Sequence, residues 1–241
     1  MKTVWITGSS TGIGFATAKK FLDKNWKVII SSSNLEKLSL AKKKLLEKNS
    51  NSKLYTYECD ISNRTTVKNT IDKITKEIGK INLAILNAAA YSPNKEQEFS
   101  IENYEYLIDV NLKGTLYCLE FLIEKMKYSN DHIAIVSSPV GYRGLPTAGA
   151  YGLTKAGLIN LSESLFFDLK KYKIKISIIN PGFIKTESTK LNSFPMPFLK
   201  TSEYAANKIF KSLTGKYKFE IYVIFMCVFS FFFIFKYSFS S

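Results

Sequence analysis

Tyr151 and Lys155 stand four residues apart in Tyr151-Gly-Leu-Thr-Lys155, a spacing that brings a phenol and an ammonium onto one face of a helix. A neighbouring cation favours the phenolate, so Tyr151 would exchange protons nearer neutral pH than its usual value of about 10. Taken alone the pair says little. With 14 Tyr in a Lys-rich chain, about two Y-x-x-x-K spacings arise by chance. Tyr91 and Lys95 form a second such pair, read as a chance match because Pro93 between them opposes a helix. Context separates the two, since Tyr151 follows an apolar run ending in Ser137-Ser138 and opens a long amphipathic stretch. Near the N-terminus, Gly8, Gly12 and Gly14 punctuate Thr7-Gly8-Ser9-Ser10-Thr11-Gly12-Ile13-Gly14. Such glycines let the backbone turn tightly and approach a pyrophosphate, which the free N–H groups of the following helix stabilise. The G-x-x-x-G-x-G spacing is neither a P-loop nor G-x-G-x-x-G. Its place between a first strand and an amphipathic helix reads as a dinucleotide site.

The elements that must hold these groups follow from the hydrophobic pattern. Short apolar runs at 3–7, 27–31, 54–59, 83–87, 132–137 and 175–179 are candidate buried strands. Helical patterns at 15–24, 35–48, 64–78, 100–127 and 151–171 are long enough to be crossovers between them. This alternation predicts an α/β fold, a Rossmann-like doubly wound parallel sheet with helices on both faces. Ligands of such a sheet bind outside the carboxyl ends of the strands. At 241 residues and 46% hydrophobic content the chain is a globular domain, neither disordered nor collagen-like. Residues 1–215 are expected to form the single catalytic domain, and 216–241 an edge strand followed by an apolar tail.

The net charge of +14 comes from Lys spread along the chain, with Arg only at 64 and 143. Dispersed Lys reads as biased residue usage, and no nucleic acid partner is expected. Cys59, Cys118 and Cys227 are odd in number and far apart, and a single His132 leaves no zinc set. The N-terminus runs into an apolar strand with no signal-peptide pattern, which points to a cytoplasmic setting. Residues 216–223 alternate like an edge strand, and 224–235 are apolar apart from Ser230. A cluster of Phe is costly to leave in water, so membrane contact through this tail is expected, with burial at a subunit interface as the alternative.

Seven motifs in order carry a resemblance: the glycine turn, Cys59-Asp60-Ile61, Asn87-Ala88-Ala89, Val110-Asn111-Leu112-Lys113-Gly114, Val136-Ser137-Ser138-Pro-Val-Gly141, Tyr151 to Lys155, and Asn180-Pro181-Gly182 with Thr186. The chain resembles the short-chain dehydrogenase/reductase family, classical type, over residues 3 to 190. The resemblance implies an NAD(P)-dependent oxidoreductase moving hydride between nicotinamide and a carbonyl or secondary alcohol. It implies Tyr151 as general acid/base and Lys155 as the group that lowers its pKa and holds the ribose. Ser138 would orient the substrate oxygen, and Asn111 would anchor a water of the proton relay. It implies cofactor contacts from Gly8, Ser10, Thr11, Gly12, Ile13 and Gly14 in the turn and from Ser33 after the second strand. Asp60 and Ile61 would meet the adenine, Asn87 and Ala88 the ribose, and Pro181, Gly182, Ile184 and Thr186 the nicotinamide. For Asp60 an N-cap on the next helix is an equally good local account.

Two departures from the family pattern bear on the cofactor. N-N-A-G stands here as Leu86-Asn87-Ala88-Ala89, and the segment after the second strand, Ser31-Ser32-Ser33-Asn34, has no Asp for a ribose diol. Hydroxyls, Asn34 and the nearby Lys37 favour NADP(H) over NAD(H). The stretch Phe194-Pro-Met-Pro-Phe198 reads as an apolar lid and, with the tail, motivates a lipophilic substrate. The long helices at 100–127 and 151–171 resemble the family's dimer face, so a homodimer or homotetramer is expected. The alternatives are a non-catalytic dinucleotide-binding sensor or scaffold attached to a membrane, and an isomerase or lyase that returns its cofactor unchanged.

Overall fold

A computed structural model describes residues 1–47, 53–93, 99–192 and 195–224. Strands β1 (Thr3–Thr7), β2 (Lys27–Ser32), β3 (Leu54–Glu58), β4 (Leu83–Leu86), β5 (His132–Val136), β6 (Lys175–Asn180) and β7 (Glu220–Tyr222) form one sheet in the order β3-β2-β1-β4-β5-β6-β7. Every neighbouring pair is parallel. The order reverses between β1 and β4, which opens a crevice at their carboxyl ends.

The helices are α1 (Gly12–Leu22), α2 (Leu35–Leu46), α3 (Arg64–Glu77), α4 (Ile101–Leu107), α5 (Gly114–Met126), α6 (Gly149–Asp168) and α7 (Ser202–Thr214). Successive strand side chains point to opposite faces, so β1 sends Val4 and Ile6 into one core layer and Trp5 into the other. The first layer contains Phe21 of α1, Leu38 of α2 and Ile209 of α7. The second contains Ile71 of α3, Leu122 of α5 and Leu158 of α6. Both faces of the sheet are therefore covered, as its continuous apolar strands require.

The structure adjusts the sequence expectations at several elements. The helix expected over 100–127 is α4 and α5 joined by a π-helical turn at Ile108–Lys113. Helix α6 begins at Gly149, two residues before Tyr151. Helix α7 was not singled out in the sequence, although Thr201 caps it and Ala205, Ala206 and Ile209 form its buried stripe. Of the edge strand expected over 216–223, Glu220–Tyr222 form β7, paired with β6, and Ile221, Val223 and Ile224 are buried. Beyond Ile224 the apolar run, with Cys227, lies outside the described residues. Among the described residues no helix is long and apolar enough to cross a membrane.

Candidate active site

Residues at the carboxyl ends of the strands line a cavity of about 670 Å³. Its floor near β1 is the glycine turn. Gly8 (φ +60°) and Gly12 (φ +56°) adopt the left-handed conformation that side chains resist. A Cβ on Gly8 would meet the Ala88 Cα at 2.5 Å. The turn is locked from β4: the amides of Asn87 and Ala88 both donate to the Thr7 hydroxyl at 3.0 Å. The Asn87 side-chain amide donates to the carbonyls of Thr7 (3.1 Å) and Gly8 (2.9 Å). Asn87 thus does its structural work from the second position of the departed N-N-A-G motif.

Helix α1 begins at this turn, and its N-cap Thr11 makes no side-chain capping bond. Asn34, Asn63, Ser100 and Thr201 all cap their helices. The first turn of α1 therefore presents uncapped N–H groups at a glycine-lined floor, the arrangement that receives a phosphate. Ser10, Ser32, Ser33, Asn34 and Lys37 line the cavity beyond it. The Ser10 and Ser32 hydroxyls are 3.2 Å apart. On the other side lie Asp60 and Ile61. Asp60 is not the N-cap of α3, because Asn63 holds that place by accepting from the Thr66 amide. The Asp60 carboxylate instead accepts from the amide and hydroxyl of Ser62, at 3.0 and 2.7 Å. These residues fit a nicotinamide dinucleotide: an open glycine cradle, an uncapped helix start and polar groups spaced along one continuous cavity.

At the other end Ser138, Tyr151 and Lys155 line the same cavity. Ser138 leaves β5 at the start of a single 3-10 turn, and its hydroxyl accepts weakly from the Val140 amide at 3.4 Å. Tyr151 and Lys155 share one face of α6, with the Lys155 ammonium 5.3 Å from the Tyr151 ring centroid. Lys155 is 2% exposed, and its ammonium donates to the Val136 carbonyl at 2.9 Å. Ser137 ties the helix to β5 by donating to the Lys155 carbonyl at 2.9 Å.

The electrostatics differ from the sequence expectation. Burial pushes the Tyr151 phenol above its usual value, and Tyr91 nearby adds to the effect. Burial also pulls the Lys155 ammonium down to about 8. In the structure desolvation outweighs the attraction that the spacing alone suggested.

Two expected site residues do not line the cavity. Asn111 sits within the π-helical turn, 1% exposed, and its side chain clamps the chain after β4. Its carbonyl oxygen accepts from the Ala90 amide at 2.7 Å, and its amide donates to the Ala90 carbonyl and the Thr154 hydroxyl, each at 3.1 Å. Gly14 is a packing position, where a Cβ would lie 2.5 Å from the Gly8 carbonyl and 2.6 Å from the Asn87 amide. The remaining expected contacts, Thr11, Ile13, Pro181, Gly182, Ile184 and Thr186, all line the cavity. The segment read as an apolar lid does not contribute its described apolar residues to the cavity lining. Met196 and Phe198 lie off the cavity, Phe198 being 64% exposed, and Phe194 falls outside the described residues.

Sequence reasoning missed several lining residues. Tyr91, set aside as a chance match, packs its ring edge-on against Tyr151 with centroids 4.9 Å apart. Its hydroxyl donates to the Asn192 side chain at 2.5 Å. Its signal was adjacency to the Asn87 segment, not its spacing to Lys95, which lies outside the described residues. Tyr106, Arg143, Leu145 and Thr189 also line the cavity. On the loop that joins Ser138 to Tyr151, Thr147 holds φ +62°, a strained conformation for a β-branched residue.

Residues 2–194 match the family described as short chain dehydrogenase. A 3-oxoacyl-[acyl-carrier-protein] reductase of Rickettsia prowazekii is 34% identical over 194 residues, covering 79% of this chain and 76% of its own. An uncharacterised oxidoreductase of Staphylococcus epidermidis is 30% identical over 194 residues, covering 80% and 82%. Among solved structures, ElxO with NADP bound superposes with a TM-score of 0.82 at 26% identity, covering 92% of this chain and 96% of that one. Levodione reductase shares the fold with a TM-score of 0.80 at 22% identity, covering 87% and 89%.

Proposed function

The chain belongs to the short-chain dehydrogenase family, and from that premise we propose that it is an NADP(H)-dependent reductase of a small carbonyl compound. The observation that carries this reading is one cavity with a glycine cradle at one end and Ser138, Tyr151 and Lys155 at the other. A bound nicotinamide supplies the hydride, so the chain has to bind, orient and move a proton. With hydride so supplied to the carbonyl carbon, the Tyr151 hydroxyl would give its proton to the oxygen as the C=O π bond breaks, so that an alcohol and a tyrosinate result. Ser138 donates to the same oxygen and fixes its position between the two hydroxyls. Lys155 steadies the tyrosinate that forms, and Asn111 acts as a positioning residue through Ala90 and Thr154.

Three features support NADP(H). The residues from the end of β2 onward that line the cavity are Ser32, Ser33, Asn34 and Lys37, with no carboxylate among them. Lys37 and the hydroxyls suit a 2′-phosphate. NADP is also the nucleotide bound in ElxO. Likeness to a 3-oxoacyl-[acyl-carrier-protein] reductase supports the reductive direction. The apolar run at 224–235 supports membrane contact on the cost of exposing clustered Phe. Flotation of the full chain with liposomes tests that part, and recovery in the soluble fraction overturns it.

Titration of the full-length protein by nicotinamide fluorescence tests the cofactor. NADPH is expected to bind more tightly than NADH, and the reverse order overturns the preference. In a carbonyl panel, Tyr151→Phe is expected to lose at least about 100-fold in turnover while NADPH affinity stays within about threefold. Turnover surviving that change would remove Tyr151 from the chemistry.

A further inference from the structure

Among the described residues, three cations line the cavity: Lys37, Lys155 and Arg143. The first two have work in the reading above, Lys37 beside the hydroxyls that follow β2 and Lys155 against Tyr151. Arg143 has none. It lies on the loop between Ser138 and Tyr151, the two groups that hold the reacting oxygen, and so belongs to the substrate half of the cavity. It is exposed and forms no salt bridge or hydrogen bond with any described residue. The chain's other arginine, Arg64, is paired with Glu120. The two acids that line the cavity are engaged elsewhere, Asp60 by Ser62 and Glu187 by Lys190 at 2.7 Å. An exposed arginine fork in a cavity lining matches the paired oxygens of a carboxylate or phosphate. Tyr91, Tyr106 and Leu145 line the same cavity and offer surface suited to an apolar stem.

Resting on the reductase proposal, we infer that the substrate is a carbonyl compound with an anionic group, a carboxylate or phosphate, that Arg143 holds beyond an apolar stem. In a lysine-rich chain the choice of arginine at this place is informative, because its planar donors fix an orientation that a lysine point charge does not. An orienting contact of this kind is expressed in KM for the anionic substrate and leaves the cofactor untouched.

The test uses full-length protein saturated with NADPH and a series of oxo-carboxylates of increasing length, each beside its methyl ester. For the best length the acid is expected to exceed the ester in kcat/KM by about tenfold or more. Arg143→Gln is expected to remove that preference through KM, leaving ester rates and NADPH affinity within about twofold, and Arg143→Lys to restore it in part. Binding of saturated carboxylates of the same lengths to the NADPH complex, read by nicotinamide fluorescence, separates this site from the activity. If no carbonyl is reduced but these carboxylates bind and Arg143→Gln abolishes the binding, the reductase proposal fails and the anion site stands. Preference for the esters, or acid turnover and carboxylate binding both unchanged in Arg143→Gln, overturns the inference.

Discussion

Tyr151 and Lys155 are pushed in opposite directions by one cause. Lys155 is buried and Tyr151 partly buried where they line the cavity, and the charged form of each is what burial penalises. The phenol is therefore held protonated, ready to donate, while the ammonium falls to about 8. A lysine with that value is charged below pH 8 and neutral above it. If the ammonium stabilises the tyrosinate formed on proton transfer, reduction at saturating NADPH holds a plateau at lower pH and declines as pH rises through about 8. A kcat profile that stays flat from pH 7 to 9 would separate Lys155 from the proton step. Tyr91 belongs to the same residue-scale argument. Its ring packs edge-on against Tyr151, and its hydroxyl is engaged by Asn192. An aromatic pair of this geometry is worth about 1 kcal/mol, so Tyr91→Ala should cost roughly fivefold or more in kcat/KM. Tyr91→Phe keeps the ring and should stay within about twofold. Equal losses in the two variants would assign the effect to the bond with Asn192.

At the scale of elements, the start of α1 joins fold to function. Gly14 is absent from the cavity lining, yet it sets how closely α1 approaches the turn and Asn87. A methyl there meets a backbone carbonyl at 2.5 Å, an overpacking that costs about 1–3 kcal/mol. Gly14→Ala is accordingly expected to lower Tm by several degrees and weaken NADPH binding. Gly144→Ala, with nothing within 4 Å of the new methyl, should change neither. Differential scanning fluorimetry with and without NADPH reads both effects, and equal behaviour of the two variants would refute the packing account. The same region explains what a sequence can and cannot disclose. The strands were legible because both faces of a parallel sheet are buried, leaving continuous apolar runs such as Val28-Ile-Ile30. The glycine turn and the pair on α6 were legible because each lies within one local segment. Tyr91 and Arg143 were not, since their significance comes from loops that meet only after the sheet is assembled. The π-helical turn at Asn111 was hidden for a similar reason. Its distortion is supported by bonds to Ala90 and Thr154, which no helical period encodes. Asp60 and Asn63 show the limit on local rules: both are good capping residues three apart, and the one that caps is decided by where α3 starts.

For the whole molecule, the layer built from α4, α5 and α6 leaves large apolar side chains outside. Leu116 and Leu153 are each 46% exposed and Phe167 is 68% exposed. In the opposite layer α7 packs against α1, and α2 leaves Leu35 and Leu40 exposed at 54% and 53%. The exposed apolar groups of α5 and α6 motivate a test of the even-numbered oligomer that the family resemblance implies, with self-association through these two helices as the expected outcome. Specific interfaces of this kind cover about 800 Å² per partner. Working against it is the net charge of +14 on every copy. The two terms respond differently to salt. Repulsion between dispersed lysines reaches about 30 Å at 0.01 M salt and about 8 Å at 0.15 M, whereas apolar burial is little screened. Sedimentation equilibrium should therefore find a dimer or tetramer that tightens as salt is raised from 0.01 to 0.15 M. Leu153→Glu combined with Phe167→Glu should shift it to monomer without altering NADPH affinity. A wild-type monomer at all salt concentrations would refute the interface. Association that weakens with salt would mean that ion pairs, rather than this apolar face, hold the copies together.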